Sequence, residues 1–208
     1  FEVIVADGGS NDKTVEIAKK EGVKVYSNNR ENQNIAKNRN LGAKNAKGEI
    51  LIFCDADTKL SNPNFFFKTV ISKFKNKAIV GGVPKIQVFP EEEKKEDRIY
   101  LSILNAYIKA SFQTKKPIAS GQCQIIRKDA FDKISGYDEK QAHSEDADLI
   151  QRLGKIGKLY YFSSLTVYES SRRYRKWGYP KLITTAAANL LSRQIFKKDI
   201  LKKWERVG

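Results

Sequence analysis

Short apolar runs alternate with helix-patterned stretches through the first part of the chain, and this alternation most limits the folds open to it. FEVIVA (1–6), VKVYS (23–27) and EILIFC (49–54) read as strands. Between them, KTVEIAKKEG (13–22) and ENQNIAKNRNLGAKNAKG (31–48) carry apolar residues at helical spacing and stop at glycine. Ser10, Asn11 and Asp12 are candidate caps for the first helix, and Pro63 behind Asn62 opens a third through NFFFKTVISKF (64–74). Strand–helix repetition of this kind predicts a doubly wound α/β sheet, mixed but mostly parallel, with helices on its faces. Further on, AIVGGVPKIQVF (78–89) gives one or two strands and residues 91–112 a long amphipathic helix. IASGQCQIIR (118–127) gives a strand, KDAFDKISGYDE (128–139) a short helix and turn, SEDADLIQRLGKIG (144–157) a helix, and KLYYFSSLTVY (158–168) a last strand.

With 208 residues, one substantial domain is expected over 1–170, followed by a basic amphipathic helical tail over 171–208. The formal charge of +15 calls for an anionic partner. Eleven Lys or Arg against Asp199 and Glu205 place +9 of it between Arg172 and Gly208. Apolar Leu190, Leu191, Ile195, Phe196, Ile200, Leu201 and Trp204 lie among those bases. Such a tail suits peripheral contact with an anionic membrane, as well as packing on the domain. No apolar run reaches the ~20 residues of a spanning helix. Cys54 and Cys123 are read as buried, reduced thiols, and the chain as cytoplasmic, at the inner face of the cell membrane. The first strand lacks a lead-in, so an N-terminal segment is expected to be missing.

Ligands of open α/β sheets bind beyond the carboxyl ends of the strands. Two predicted strands end in carboxylates there: Asp7 after FEVIVA, and Asp55 and Asp57 after EILIFC. Paired carboxylates repel one another unless a cation joins them, and hard oxygen ligands favour Mg²⁺ or Mn²⁺ completed by phosphate oxygens. An isolated Asp-x-Asp reads more readily as a solvated turn with an Asp cap. DGGSND (7–12) permits close backbone approach at Gly8 and Gly9, but it is neither a G-x-G-x-x-G fingerprint nor a P-loop. Glu145, Asp146 and Asp148 crowd one helix start, more acid than capping requires, so one of them suits a general base. The single histidine, His143, is read as an ordinary surface or packing residue before a site residue.

VADGGSNDKT, NIAKNRNLGAKNAKGEILIFCDAD, SGQCQIIRKDAFDKISGYDE and SEDADLIQRLGKIGK together resemble glycosyltransferase family 2, of GT-A fold, over roughly residues 1–170. The resemblance implies a nucleotide contact at Asp7, a DxD motif at Asp55 and Asp57 with Asp57 the principal metal ligand, and Arg39 near the nucleotide. It implies Asp146 as base of an ED motif, with Gly121 and Glu145 on the acceptor side. It further implies Mn²⁺ or Mg²⁺, a UDP- or GDP-sugar donor, and a carbohydrate or polyprenyl-phosphate acceptor, in an inverting displacement. Arg172 and Arg173 are candidates for a phosphate clamp. Glu169, Ser170 and Ser171 stand where relatives often carry a histidine, and a lead-in Pro-x-(Tyr/Phe)-Asn-Glu segment is absent. Arg175 and Trp177 match only loosely the QxxRW motif of processive synthases, which disfavours a polymerising enzyme. The alternatives are a sugar-phosphate nucleotidyltransferase and a non-catalytic basic protein binding membrane or nucleic acid, the last disfavoured because base-stacking motifs are lacking.

Overall fold

The computed structural model describes residues 1–29, 31, 33–141 and 144–185. Its first element, β1 (Ile4–Asp7), pairs in parallel with β2 (Lys24–Ser27), the connection being α1 (Thr14–Lys20). Next, α2 (Ile35–Asn45) begins where the Asn34 side chain accepts from Lys37 N at 2.8 Å, and it packs on both strands.

The main sheet has five strands in the order β3 (Ile50–Cys54), β6 (Cys123–Arg127), β5 (Ile79–Val88), β7 (Lys158–Glu169) and β4 (Thr58–Leu60). The mixed, helix-covered α/β sheet is as expected. Its hydrogen bonding corrects the expectation of a mostly parallel one. β6 inserts antiparallel between β3 and β5, and β4 pairs antiparallel with β7, leaving β5–β7 as the parallel pairing of this sheet. Strand β4, three residues just past the two aspartates, is too short to carry an alternation and was not expected.

Strand alternation builds a core on each face. On one side α3 (Pro63–Phe74) brings Phe66, Val70 and Phe74, at helical spacing, against Ile125, Phe162 and Val167. Its start is set by Pro63 and by Asn62, whose side chain accepts from Phe65 N at 3.0 Å. On the other side, α4 (Lys95–Ser111), α5 (Lys128–Lys133) and α6 (Glu145–Gly154) cover Val80, Val83 and Ile126 with Ile108, Phe131, Leu149, Ile150 and Leu153. Fully burying each of these side chains contributes roughly 1.5–3 kcal/mol.

The β5–β7 ladder slips twice, by one residue between Ile79 and Gly81 and by more near its middle. Pro84 pairs with Phe162 but Lys85 pairs with Thr166, so residues 163–165 of β7 have no partner on β5. Asn105 of α4 mends the β5 edge nearby, accepting from Ile86 N at 3.0 Å and donating to Ile86 O at 2.8 Å.

Past β7, α7 (Arg172–Trp177) and a helical stretch at 179–185 return to the domain. Tyr174 is buried with Ile86, Val88 and Leu101, and Tyr179 and Leu182 pack beside it. Arg175, once set beside the synthase motif, pairs with the fully buried Asp97 of α4, as does the Tyr179 hydroxyl. Among the described residues no helix is long and apolar enough to cross a membrane. Residues 186–208, with the apolar positions Leu190 to Trp204 and six of the eleven bases of the expected tail, lie outside the described residues, as does His143.

Candidate active site

Both cysteines are free, as expected, and their sulfurs lie 3.6 Å apart across the β3–β6 pair. Cys123 is buried, but Cys54 is exposed, a correction that follows from its place at the end of β3, where the chain leaves the sheet.

Just beyond, Asp55 accepts at its main-chain oxygen from Thr58 N (3.1 Å) and Thr58 Oγ1 (2.7 Å), closing a tight turn into β4. That turn sends the two aspartates different ways. Asp55, 42% exposed, turns its Oδ1 to Arg39 Nη2, which donates to it at 2.9 Å. Asp57 points outward at the turn's far corner, 57% exposed, and meets Arg172 Nη2 at 3.3 Å.

Arg39, on α2, also donates from Nη1 to Glu145 Oε1 at 3.1 Å and from Nη2 to the Gly121 carbonyl at 2.9 Å. Its guanidinium lies over the Tyr137 ring, 5.3 Å from the centroid. Tyr137 donates to Gln124 Oε1 at 2.6 Å, and Gln124 Nε2 donates to the Asp146 carbonyl at 3.2 Å. Neither Tyr137 nor Gln124 was marked from the sequence. Both are buried, and only their apolar neighbours give a periodic signal.

The acid cluster at the start of α6 resolves into three roles. Glu145 pairs with Arg39, and Asp148 pairs with Arg152 at 2.7 Å one turn on. Arg152 in turn holds the Ile134 and Gly136 carbonyls. Among the described residues no cation pairs with Asp146, whose Oδ1 accepts from Ala147 N at 2.7 Å. Burial, and then the neighbouring Glu145 charge, push its carboxyl up to about 7, with Arg39 pulling the other way. Gly121 faces this carboxylate closely. A Cβ there would sit 3.1 Å from Arg39 Nη2 and 3.2 Å from Asp146 Oδ2.

These groups border a cavity of about 270 Å³. Arg39, Asp55, Gly121, Gln122, Asp146 and Arg173 supply its polar wall, and Ile35, Leu104, Ile108 and Ile118 an apolar one. The cavity thus gathers Arg39, Asp55, Gly121, Glu145, Asp146 and Arg173, while Asp57 and Arg172 are not among its lining. Asp7 is elsewhere, 5% exposed and turned onto its own loop. Its carboxylate accepts from Gly9 N at 3.0 Å and Ser10 N at 3.1 Å, with Gly9 at φ 79°. Burial works to raise this carboxyl, and the bonds from Ser10 and Gly9 outweigh it, leaving it below the ordinary range.

Glu169, at the end of β7, was noted in the sequence only as a replacement for a histidine. It accepts from Gln122 Nε2 at 2.8 Å and from the Tyr174 hydroxyl. Burial raises its carboxyl to about 7 against those two bonds. Gln122 Oε1 is buried without a hydrogen-bond partner among the described residues.

Among the described residues no three His, Cys, Asp or Glu side chains gather into a metal-holding group. The donor set fits a divalent cation as a half-site. Asp57 offers one accessible carboxylate, and Mg²⁺ or Mn²⁺ commonly takes one or two protein carboxylates with substrate phosphates completing the shell.

The sequence matches the family described as Glycosyl transferase family 2 over residues 1–135. The 4,4'-diaponeurosporenoate glycosyltransferase of Staphylococcus haemolyticus (strain JCSC1435) is 47% identical over 66 residues, 29% of this chain and 18% of that protein. Among solved structures, the mannosyltransferase PcManGT of Pyrobaculum calidifontis, in complex with GDP-Man and Mn²⁺, superposes with a TM-score of 0.64 at 14% identity. The match covers 85% of this chain and 50% of that one. TarS 1-349 of S. aureus in complex with UDP-GlcNAc gives 0.61 at 18% identity, covering 98% and 59%. This chain therefore spans only about half the length of these solved relatives.

Proposed function

The chain belongs to glycosyltransferase family 2 and has the GT-A fold, and from that premise we propose an inverting, metal-assisted transfer from a nucleotide-diphosphate sugar. The observation that carries the reading is Asp146, a half-buried carboxyl raised to about 7 on the wall of the cavity that also holds Asp55 and Arg39. A group with that affinity for protons is matched to taking one from an acceptor hydroxyl near neutral pH. The hydroxyl oxygen then attacks the anomeric carbon, the bond to the diphosphate breaks, and the proton rests on Asp146. A leaving diphosphate needs no acid, so a second catalytic carboxyl is not required.

Asp57, with phosphate oxygens of the donor, would hold Mn²⁺ or Mg²⁺, which offsets charge on the departing diphosphate. Arg172 now neutralises Asp57 across an exposed pair and is placed to turn to a phosphate when the cation arrives. Gly121, Gln122 and Arg173 border the space for the acceptor. The apolar wall of Leu104, Ile108 and Ile118 favours an acceptor with an apolar body, such as a polyprenyl phosphate, over a bare sugar. Contact of the basic 186–208 segment with the inner face of the cell membrane would bring such an acceptor within reach.

Calorimetry with UDP or GDP in the presence of Mn²⁺, followed by incubation with UDP- and GDP-sugars, tests this reading. Binding that needs the metal, and release of the nucleoside diphosphate that Asp146→Asn abolishes, are expected. Absence of binding by either diphosphate, with Mn²⁺ or Mg²⁺, overturns it.

A further inference from the structure

Arg39 was expected as a contact of the donor nucleotide, yet its surroundings are those of an interior joint. Its side chain is 11% exposed. Of the five N–H donors a guanidinium carries, three go to Asp55, Glu145 and the Gly121 carbonyl. Those partners come from three separate segments: the exit of β3, the loop before β6, and the first turn of α6. Tyr137 supports the guanidinium from beneath and is itself tied through Gln124 to the main chain of Asp146.

We propose that Arg39 is a positioning residue that holds Asp55 by its Oδ1 and sets the Glu145–Asp146 turn against Gly121, leaving Asp57, the more exposed of the two aspartates, as the principal carboxylate to face a cation. The role rests on the transfer reading for its consequence, but its geometry stands on contacts already formed in the protein. The fork is what the position requires. A lysine keeps the charge but cannot reach three acceptors in fixed directions. The same charge also draws the Asp146 carboxyl down from where burial and Glu145 would leave it. Removing Arg39 therefore loosens the placement of Asp146 and raises its proton affinity together.

Two variants, Arg39→Met and Arg39→Lys, are measured against the parent and Asp146→Asn. Carboxyl ¹³C NMR follows the Asp146 titration, identified as the signal that Asp146→Asn removes. Calorimetry follows Mn²⁺–UDP and Mn²⁺–GDP. In Arg39→Met the Asp146 titration is expected to move to higher pH, while diphosphate affinity changes less than about threefold, under 1 kcal/mol. Arg39→Lys should hold the titration nearer the parent value, yet nucleoside diphosphate release from the donor sugar should still fall about 10²-fold, the loss typical of a displaced catalytic group. A loss of diphosphate affinity beyond tenfold with an unmoved Asp146 titration overturns the proposal and returns Arg39 to the donor. Should Arg39→Met not fold, Arg39→Lys decides on the same two readouts: full parent release overturns the proposal. If the parent binds neither diphosphate, the transferase reading fails alone, because the titration still reports on Arg39.

Discussion

The two ends of the Asp-x-Asp turn differ in their arginine partners more than in their own exposure, 42% at Asp55 against 57% at Asp57. Asp55 is drawn into a network of Arg39, Glu145 and the Gly121 carbonyl that is already assembled, whereas Asp57 stands in solvent against an arginine that is itself 55% exposed. An exposed pair of that kind contributes about 0–1 kcal/mol. A buried charge stripped of its partner costs several. One end of the site is therefore built in advance, and the other is held by an exposed pair that costs little to break, as the proposed cation site requires.

The largest way to break this contrast is Asp146→Asn. Release of nucleoside diphosphate from a donor sugar should fall roughly 10²–10⁴-fold, as expected for loss of a general base, with donor binding kept. The same variant should change stability with a definite sign. A carboxyl raised to about 7 in the folded chain favours folding below its ordinary value of 3.8 and loses that contribution as pH climbs through 7. Parent stability should thus decline between pH 4 and 8, and Asp146→Asn should flatten the decline by at most about 4 kcal/mol. Urea melts at both pH values would show it, and parallel profiles would refute it.

Asp57→Ala tests the loose end. Stability without ligand should move by less than about 1 kcal/mol. The rise in melting temperature on adding Mn²⁺ and UDP or GDP, worth about 2.7 kcal/mol at a hundredfold excess over Kd, should vanish. A retained shift would mean that Asp55 or another group holds the cation.

Glu169→Gln sharpens the comparison from β7. Its carboxyl is also raised to about 7, from an ordinary 4.5, so stability again falls as pH rises through that value. The glutamine variant should remove a slope of up to about 3 kcal/mol. The carboxamide of Gln122 can rotate to offer its unpartnered Oε1 to the new amide, so folding should survive. The smallest effect is expected at Gly121→Ala. Its Cβ would press on Arg39 and Asp146 by a few tenths of an ångström, lowering release about tenfold, roughly 1.4 kcal/mol, with little change in diphosphate affinity.

The elements were largely readable from residue order, because α3 repeats Phe66, Val70 and Phe74 at helical spacing and β3 is a continuous apolar run. Strand pairing was not. A fully buried strand such as β6 gives no alternation to say which way its neighbours run, so its antiparallel insertion left no trace in the pattern. Within the site, the acids at 145, 146 and 148 marked themselves by their crowding. Which of them remained without a cation depended on Arg39 and Arg152, residues distant in sequence. Asp7 shows another case: its position at a strand end was legible, but not that its two oxygens also close the loop that follows. Tyr137 and Gln124 gave no signal at all, since an isolated buried polar residue has no period.

The larger slip in the β5–β7 ladder has a bearing on how such a chain tolerates change. Residues 163–165 are surplus length on one strand, and the segment after them is gripped from both sides, by Lys85–Val88 of β5 and Thr58–Leu60 of β4. Glu169 lies four residues beyond, a distance of about 13 Å along a strand. Slack at the slip and tension at the strand's end are thus kept apart. A residue gained at exposed Ser163 or Ser164 would be taken up as a wrinkle there, whereas Leu165 is held in the core and keeps the following segment in register.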